Sequence, residues 1–449
     1  MKRIIDYYLS KWKTDRYRKP LLLRGARQVG KTYAVRKLGA SFSNFFEINL
    51  ELQPAAHIIF EKDLEPERIV RELSALTLKP IIPGKTLLFI DEIQAVPRAL
   101  LALRYFYEMM PELHVIAAGS LLDFAIEEIG IPVGRVDSFY MQPLSFIEFL
   151  CALEADVLIE EIVTNTSMKV ASDVIHNKLL GLVGEYLAIG GMPQAVHCWQ
   201  EVKDPLKCPD FHRSILATYR QDFGKYAKRL QIKYVELIFE NIPLQLGQQF
   251  KYRMIEGEFR KRELAPASDL LVTAGVAQKV YASAGQGIPL GARIDPLDYK
   301  VIFLDVALAQ TMLGLKTSGW YIDPLTEFVN KGALVEAFVG QEILTCSDPS
   351  NRPALYYWHR ATRNSNAEID YLVQQEEHAI PIEVKSRQGR TRKSMQIFLE
   401  SHQKSPYGIR FSTQNYSDHE KVRSYPLYAI CQLGLWQSEL RKAIESLLA

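Results

Sequence analysis

Residues 24–32 read RGARQVGKT and follow directly on the apolar residues 20–23, PLLL. The spacing G-x-x-x-x-G-K-T, from Gly25 to Thr32, lets a loop wrap an anion and then open a helix. Glycine reaches the dihedrals such a loop requires, so the N–H groups of residues 26–32 can converge on one point. On this reading Gly25, Ala26, Arg27, Gln28, Val29 and Gly30 cradle the β and γ phosphates of a nucleotide, with the Arg27 side chain facing solvent. Lys31 neutralises those phosphates, and the Thr32 hydroxyl holds Mg²⁺. A functionless Gly-rich turn has the same letters, but the flanking strand-like run, the amphipathic stretch KTYAVRKLGASF and a second motif weigh against it.

That second motif is TLLFIDE, ending in Asp91-Glu92, sixty residues after Lys31. Carboxylates at the carboxyl end of a buried strand are costly unless they bind something. Asp91 fits a partner of Mg²⁺, directly or through water, and Glu92 fits a base that orients an attacking water. Acidic caps at a helix start are the plainer alternative. Asn49, ending FFEINL, either polarises or restrains Glu92 or caps its strand. Ser120, ending HVIAAGS, either senses the γ phosphate or caps. Arg135, in VGRVDSF, is a candidate arginine finger or sensor, or a surface residue.

Four short apolar runs, KPLLLRG, FFEINLE, GKTLLFIDE and LHVIAAGS, alternate with helical stretches such as PERIVRELSALTL and VPRALLALRYFYEMM. Strand and helix in alternation imply a parallel sheet covered by helices. This α/β domain is expected over 1–155. Helical periodicity then takes over across 156–235, interrupted by GGMP at 190–193, which reads as a helical lid. Residues 236–318 carry short helical pieces, the basic run KYRMIEGEFRKRE, the turn SAGQGIPLG and the apolar KVIFLD, and are expected to form a small helix-rich, winged-helix-like module. From 319 to 449 a helix, GALVEAFVGQEILT, precedes strand-like ALYYWHR, EIDYLVQ and IPIEVKS.

At 449 residues the chain is long enough for about three domains, and 48% hydrophobic with 24% charged residues is the composition of a globular protein with several cores. A formal charge of +2 argues neither for nor against a nucleic-acid partner. The five cysteines are scattered without a C-x-x-C pair, so structural zinc and a disulfide framework are not expected. The charged N-terminus lacks the apolar core of a signal peptide, and no run approaches the roughly 20 apolar residues of a membrane span. A cytoplasmic, non-membrane protein is the expectation.

The set RGARQVGKT, LLFIDEIQ, AAGS, GRV followed by PLSFIEFL, and GGMPQAV resembles a large family of bacterial and archaeal AAA+ ATPases. Its members join an N-terminal ATPase domain to a C-terminal domain of unassigned function. The resemblance covers nearly the whole chain. It implies an AAA+ P-loop sheet domain whose Walker A and Walker B motifs supply Lys31, Thr32, Asp91 and Glu92, with ATP and Mg²⁺ as cofactors. It implies no substrate.

In the last third, Asp370 lies in EIDYLVQ, while Glu383 and Lys385 lie two apart on one face of IPIEVKS. A helix acid, a strand Asp and then E-x-K outline the PD-(D/E)xK nuclease fold, to which this part of the sequence is similar. Glu336 is the preferred helix acid and Glu342 the second choice. Two carboxylates at strand ends could hold Mg²⁺ and the lysine could orient water, predicting metal-dependent cleavage of DNA or RNA. A merely charged strand has the same letters. The following cations, Lys385, Arg387, Arg390, Arg392 and Lys393, suit a phosphate backbone or a solvated loop.

Together these readings describe a cytosolic ATPase whose hydrolysis cycle moves a helical lid and so acts on a nucleic-acid-handling C-terminal domain. The alternative is a nucleotide-controlled switch that binds a protein partner, its last domain an inert scaffold. A homo-oligomer is compatible with either.

Overall fold

Continuous apolar runs become central strands because both faces of a parallel sheet are covered. In the computed structural model β1 (Leu21–Arg24), β2 (Asn44–Asn49), β3 (Thr86–Asp91), β4 (His114–Ala118) and β5 (Asp137–Tyr140) form a five-stranded sheet in the order β2-β3-β4-β1-β5. Every pairing is parallel. β1, β3 and β4 are buried throughout. Helices Lys31–Gly39, Pro66–Thr77 and Arg98–Met109 connect the strands, and Leu22, Ile48, Ile90, Leu100 and Phe106 share one core. The helix Pro66–Thr77 starts where its sequence says it should: Pro66 needs no N–H donor, and the Glu65 carboxylate accepts from Arg68 N.

The structure describes residues 1–130, 134–166, 168–204, 207–227, 229–362, 365–385 and 393–448. They divide into two compact units, one of residues 3–142 with 348–352 and the other of 1–2, 143–347 and 353–449. The first unit contains the parallel sheet.

The second unit begins with helices, among them Asp156–Thr164, Asp173–Ile189, Pro193–Val202, Cys208–Tyr226 and Arg229–Asn241, where the periodicity places them. It continues into a mixed sheet of β6 (Ala277–Ser283), β7 (Ile294–Phe303), β8 (Leu355–Thr362), β9 (Ser365–Gln375), β10 (His378–Lys385), β11 (Gly408–Ser412), β12 (Ser417–His419) and β13 (Val422–Pro426). The order is β12-β13-β11-β10-β9-β8-β6-β7. Helix Gly332–Thr345 precedes β8, the strands β8, β9 and β10 run antiparallel in turn, and helix Lys393–Ser401 leads to β11, parallel to β10.

One boundary differs from the sequence reading. β6 pairs with β8 and β7 with β6, so the strands expected in a separate module at 236–318 belong to the sheet of the last domain. Backbone hydrogen bonding between distant segments decides this, and local periodicity carries no record of it. All five cysteines are free thiols. Among the described residues no helix is long and apolar enough to cross a membrane.

Candidate functional site

β1 delivers the chain to the loop at its carboxyl end, the end at which parallel sheets bind ligands. Three loop residues take positive φ, Gly25 at 139°, Gln28 at 64° and Gly30 at 100°, which turns successive N–H groups inward. A Cβ on Gly25 would strike the Met141 carbonyl, so no other residue fits there. Lys31 opens the following helix, where backbone donors lack intrahelical partners. Its side chain is buried, and Nζ donates to Gly25 O at 2.9 Å and Ala26 O at 2.8 Å. Burial lowers its pKa to about 8, Glu92 and Asp91 pull it back up, and Arg27 pushes it down. Arg27 is half-buried rather than fully turned to solvent.

Asp91 ends β3, in register with Asn49 at the end of β2. Its Oδ2 accepts from Thr32 Oγ1 at 3.1 Å and from Asn49 Nδ2 at 3.4 Å. Burial, and then the Glu92 charge, raise its pKa. Asn49 therefore meets Asp91 and not Glu92, while its Oδ1 accepts from the N–H groups of Glu51 and Leu52. The Nδ2 contact is thus with Asp91, and the Oδ1 bonds are those of a strand-end cap. Glu92 sits at φ 51°, ψ 45°, left-handed backbone that costs a non-glycine residue energy.

The Glu92 carboxylate is held by one residue the sequence reading did not single out, Gln94, and by one it did, Ser120. Gln94 Nε2 donates to Glu92 Oε2 at 2.5 Å, and Ser120 N approaches the same oxygen at 3.4 Å. Ser120 thus contributes its backbone. Gly119 makes room: a Cβ there would collide with Gln94 Oε1. A second unannounced residue is Arg3, whose buried guanidinium donates to Val29 O at 3.2 Å and Gln142 O at 2.8 Å, bracing the loop from the N-terminal helix Ile4–Thr14. Only the DEIQ spelling hinted at Gln94, and nothing near position 3 hinted at Arg3. Arg135 pairs with Glu108 at 3.1 Å, on the helix Arg98–Met109, and is half-exposed.

The residues fit ATP with Mg²⁺. The buried Lys31 ammonium stands beside the positive-φ turn from Gly25 to Gly30, and Thr32 Oγ1 with the Asp91 carboxylate is the hard-oxygen set that Mg²⁺ prefers.

In the second unit Glu336 and Asp370 do come together, but around a lysine. Lys300, from β7 and 2% exposed, places Nζ 2.8 Å from Glu336 Oε1 and pairs with Glu368 as well. Asp370 Oδ2 accepts from Val384 N at 2.6 Å. Burial, with Glu336 adding to it, raises the Asp370 pKa to about 8. Burial alone would lower the Lys300 pKa, yet Glu336, Asp370 and Glu368 hold it above the usual lysine value. Glu383 faces two cations, Lys385 at 2.9 Å and Arg410 at 3.3 Å. Glu342 stands apart, its buried Oε1 accepting from Phe146 N at 2.9 Å. Among the described residues no three His, Cys, Asp or Glu side chains are placed to hold a metal ion. The two acids expected to form a Mg²⁺ pair have other partners here: a backbone amide for Asp370, and Lys385 and Arg410 for Glu383. Arg387, Arg390 and Arg392 lie outside the described residues.

The GGMPQAV motif serves packing. Gly191 N donates to the buried Asp305 Oδ2 at 2.6 Å, and a Cβ on Gly190 (φ 77°) would collide with that carboxylate. Asp305 also caps helix Val306–Met312.

Three family descriptions match the chain: an AAA domain over residues 17–150, a domain of unknown function (DUF8612) over 181–319, and a domain of unknown function (DUF4143) over 331–430. No curated protein matches. Among solved structures, a Walker-type ATPase of Pyrococcus abyssi is similar at 14% identity and a TM-score of 0.42, over 69% of this chain and 95% of that one. PCH-2 of C. elegans is similar at 13% and 0.27, over 45% and 62%. The Aeropyrum pernix ORC1 protein, in complex with DNA, is similar at 13% and 0.25, over 69% and 90%. Scores this low carry no functional argument.

Proposed function

We propose, for a chain whose N-terminal part is an AAA+ P-loop ATPase domain, that ATP hydrolysis at residues 25–32, 91 and 92 is coupled to nucleic-acid binding by the C-terminal domain. What supports hydrolysis is the meeting of Lys31, Thr32, Asp91 and Glu92 at the carboxyl ends of β1 and β3, from segments sixty residues apart. Lys31 and the loop N–H groups bind the β and γ phosphates. Thr32 and Asp91 would hold Mg²⁺, which when bound offsets phosphate charge as the terminal bond breaks. Glu92 takes the proton of the attacking water, and Gln94 and the Ser120 amide aim its carboxylate.

The C-terminal order of helix, three antiparallel strands, helix and parallel strand supports a nuclease-like frame, and the half-exposed Lys385 with the exposed Lys393 supports contact with phosphates. One observation favours the second reading, a nucleotide-controlled switch with a protein partner: the acids of that frame are already paired with Lys300, Lys385 and Arg410. ATP turnover measured with and without DNA or RNA tests the choice. Stimulation by either supports the nucleic-acid reading, and an unchanged rate supports the switch.

A further inference from the structure

The carboxylates of Glu336 and Glu368 pair with one buried ammonium, that of Lys300, and the charge of Asp370 acts on it from farther away. Glu336 comes from helix Gly332–Thr345, Glu368 and Asp370 from β9, and Lys300 from β7 across the sheet. An ammonium has three donors, and Glu336 and Glu368 take two of them. Above it lies the Tyr357 ring, 5.2 Å from Nζ, whose face favours a cation. Tyr371 OH donates to Glu336 O at 2.9 Å and so fixes the helix against β9. A Mg²⁺ ion on the same carboxylates would need about six oxygens at roughly 2.0–2.1 Å, beside a fixed positive charge. Lysine and ion exclude each other there. Glu383, the acid of E-x-K, is separately neutralised by Lys385 and Arg410, so it is not free to complete an ion's shell with Asp370.

We propose that the Lys300 ammonium holds the place that a divalent ion takes in a nuclease-type carboxylate site, so that the C-terminal domain keeps the frame of that site without metal-dependent phosphodiester cleavage. This rests on the nuclease-like reading of the strands β8 to β11 and is independent of the ATPase reading. It also gives the apolar segment KVIFLD, whose first residue is Lys300, a role beyond its strand.

Mn²⁺ is the probe, titrated into the full chain without nucleotide and read by electron paramagnetic resonance. The wild-type chain should bind no Mn²⁺ that Asp370→Asn displaces. Lys300→Ala should bind one ion at least about tenfold more tightly than wild type, because the repelling charge is gone, and adding Asp370→Asn should abolish that gain. Wild-type binding that Glu336→Gln or Asp370→Asn removes, or metal-dependent cutting of DNA by the wild type, would overturn the inference while leaving the nuclease-like reading standing. Silence from both wild type and Lys300→Ala would overturn both, since the carboxylates would then never have formed an ion's position. Should Lys300→Ala fail to fold, the wild-type titration with Glu336→Gln and Asp370→Asn as controls still decides.

Discussion

In the P-loop the Lys31 ammonium turns to the carbonyls of Gly25 and Ala26, 2.9 and 2.8 Å away, whereas the Lys300 ammonium turns to the carboxylates of Glu336 and Glu368. Carbonyls orient a cation without cancelling its charge; carboxylates cancel it. Burial therefore lowers the Lys31 pKa to about 8, while at Lys300 burial acts in the same direction and three acids outweigh it. Both regions put a lysine among acids, but the first keeps positive charge for a phosphate and the second has none to offer. Which partner a buried lysine meets matters more than the residue types around it.

The sharpest way to break this contrast is at Glu92, whose carboxylate Gln94 and the Ser120 amide hold. Glu92→Gln should retain ATP binding and lower kcat by about 10²–10⁴-fold, the usual worth of a positioned base. A near-normal rate in a steady-state phosphate-release assay would reduce Glu92 to a cap. In the second region Lys300→Met should lose about 3 kcal/mol of stability, because it strips the largely covered Glu336 carboxylate of its counter-charge, while the half-exposed Glu368 adds little. Chemical denaturation measures this, and ATP hydrolysis should persist wherever the variant stays folded. A loss below about 1 kcal/mol, typical of exposed pairs, would mean that the cluster is solvated and the contrast false.

Lys31→Ala should weaken ATP binding by about a hundredfold, roughly 3 kcal/mol, as expected for a hydrogen bond to a charged group. Unchanged affinity by calorimetry would sink the P-loop assignment. The same lysine predicts a pH dependence. With a free-protein pKa of about 8, Lys31 is protonated below that value and loses its proton above it. Phosphate binds the protonated form, so affinity should be flat up to about pH 8 and then fall as pH rises, by at most about tenfold per pH unit. The slope should vanish in Lys31→Ala. The smallest expected effect belongs to Gln94→Leu: with Glu92 no longer held at 2.5 Å, kcat should fall by about tenfold with KM unchanged. A KM effect alone would give Gln94 a binding role.

How much of this was legible depended on how far apart the participating residues lie. The loop at 24–32 and the strand ending in Asp91-Glu92 could be read because each is contiguous, and strand burial shows as an unbroken apolar run. β5 and β11 were missed: Asp137-Ser138-Phe139-Tyr140 is short and half-buried, and Gly408–Ser412 carries a buried arginine in its middle. Asn49 was placed at the right strand end and given the wrong neighbour, since one step along the β2–β3 register separates Asp91 from Glu92.

The amino-acid order by itself determined the phosphate cradle, because backbone dihedrals and N–H directions over nine adjacent residues are local properties set by glycine placement. It also determined the alternation that builds the parallel sheet. Only the tertiary structure decided that Lys300 would meet Glu336, thirty-six residues on, that Arg3 would brace Val29, and that β6 and β7 would join the last sheet. Spacing along a chain says which faces residues share within one element, whereas the choice of counter-ion for a buried acid is made by whichever cation the folded sheet carries within about 4 Å.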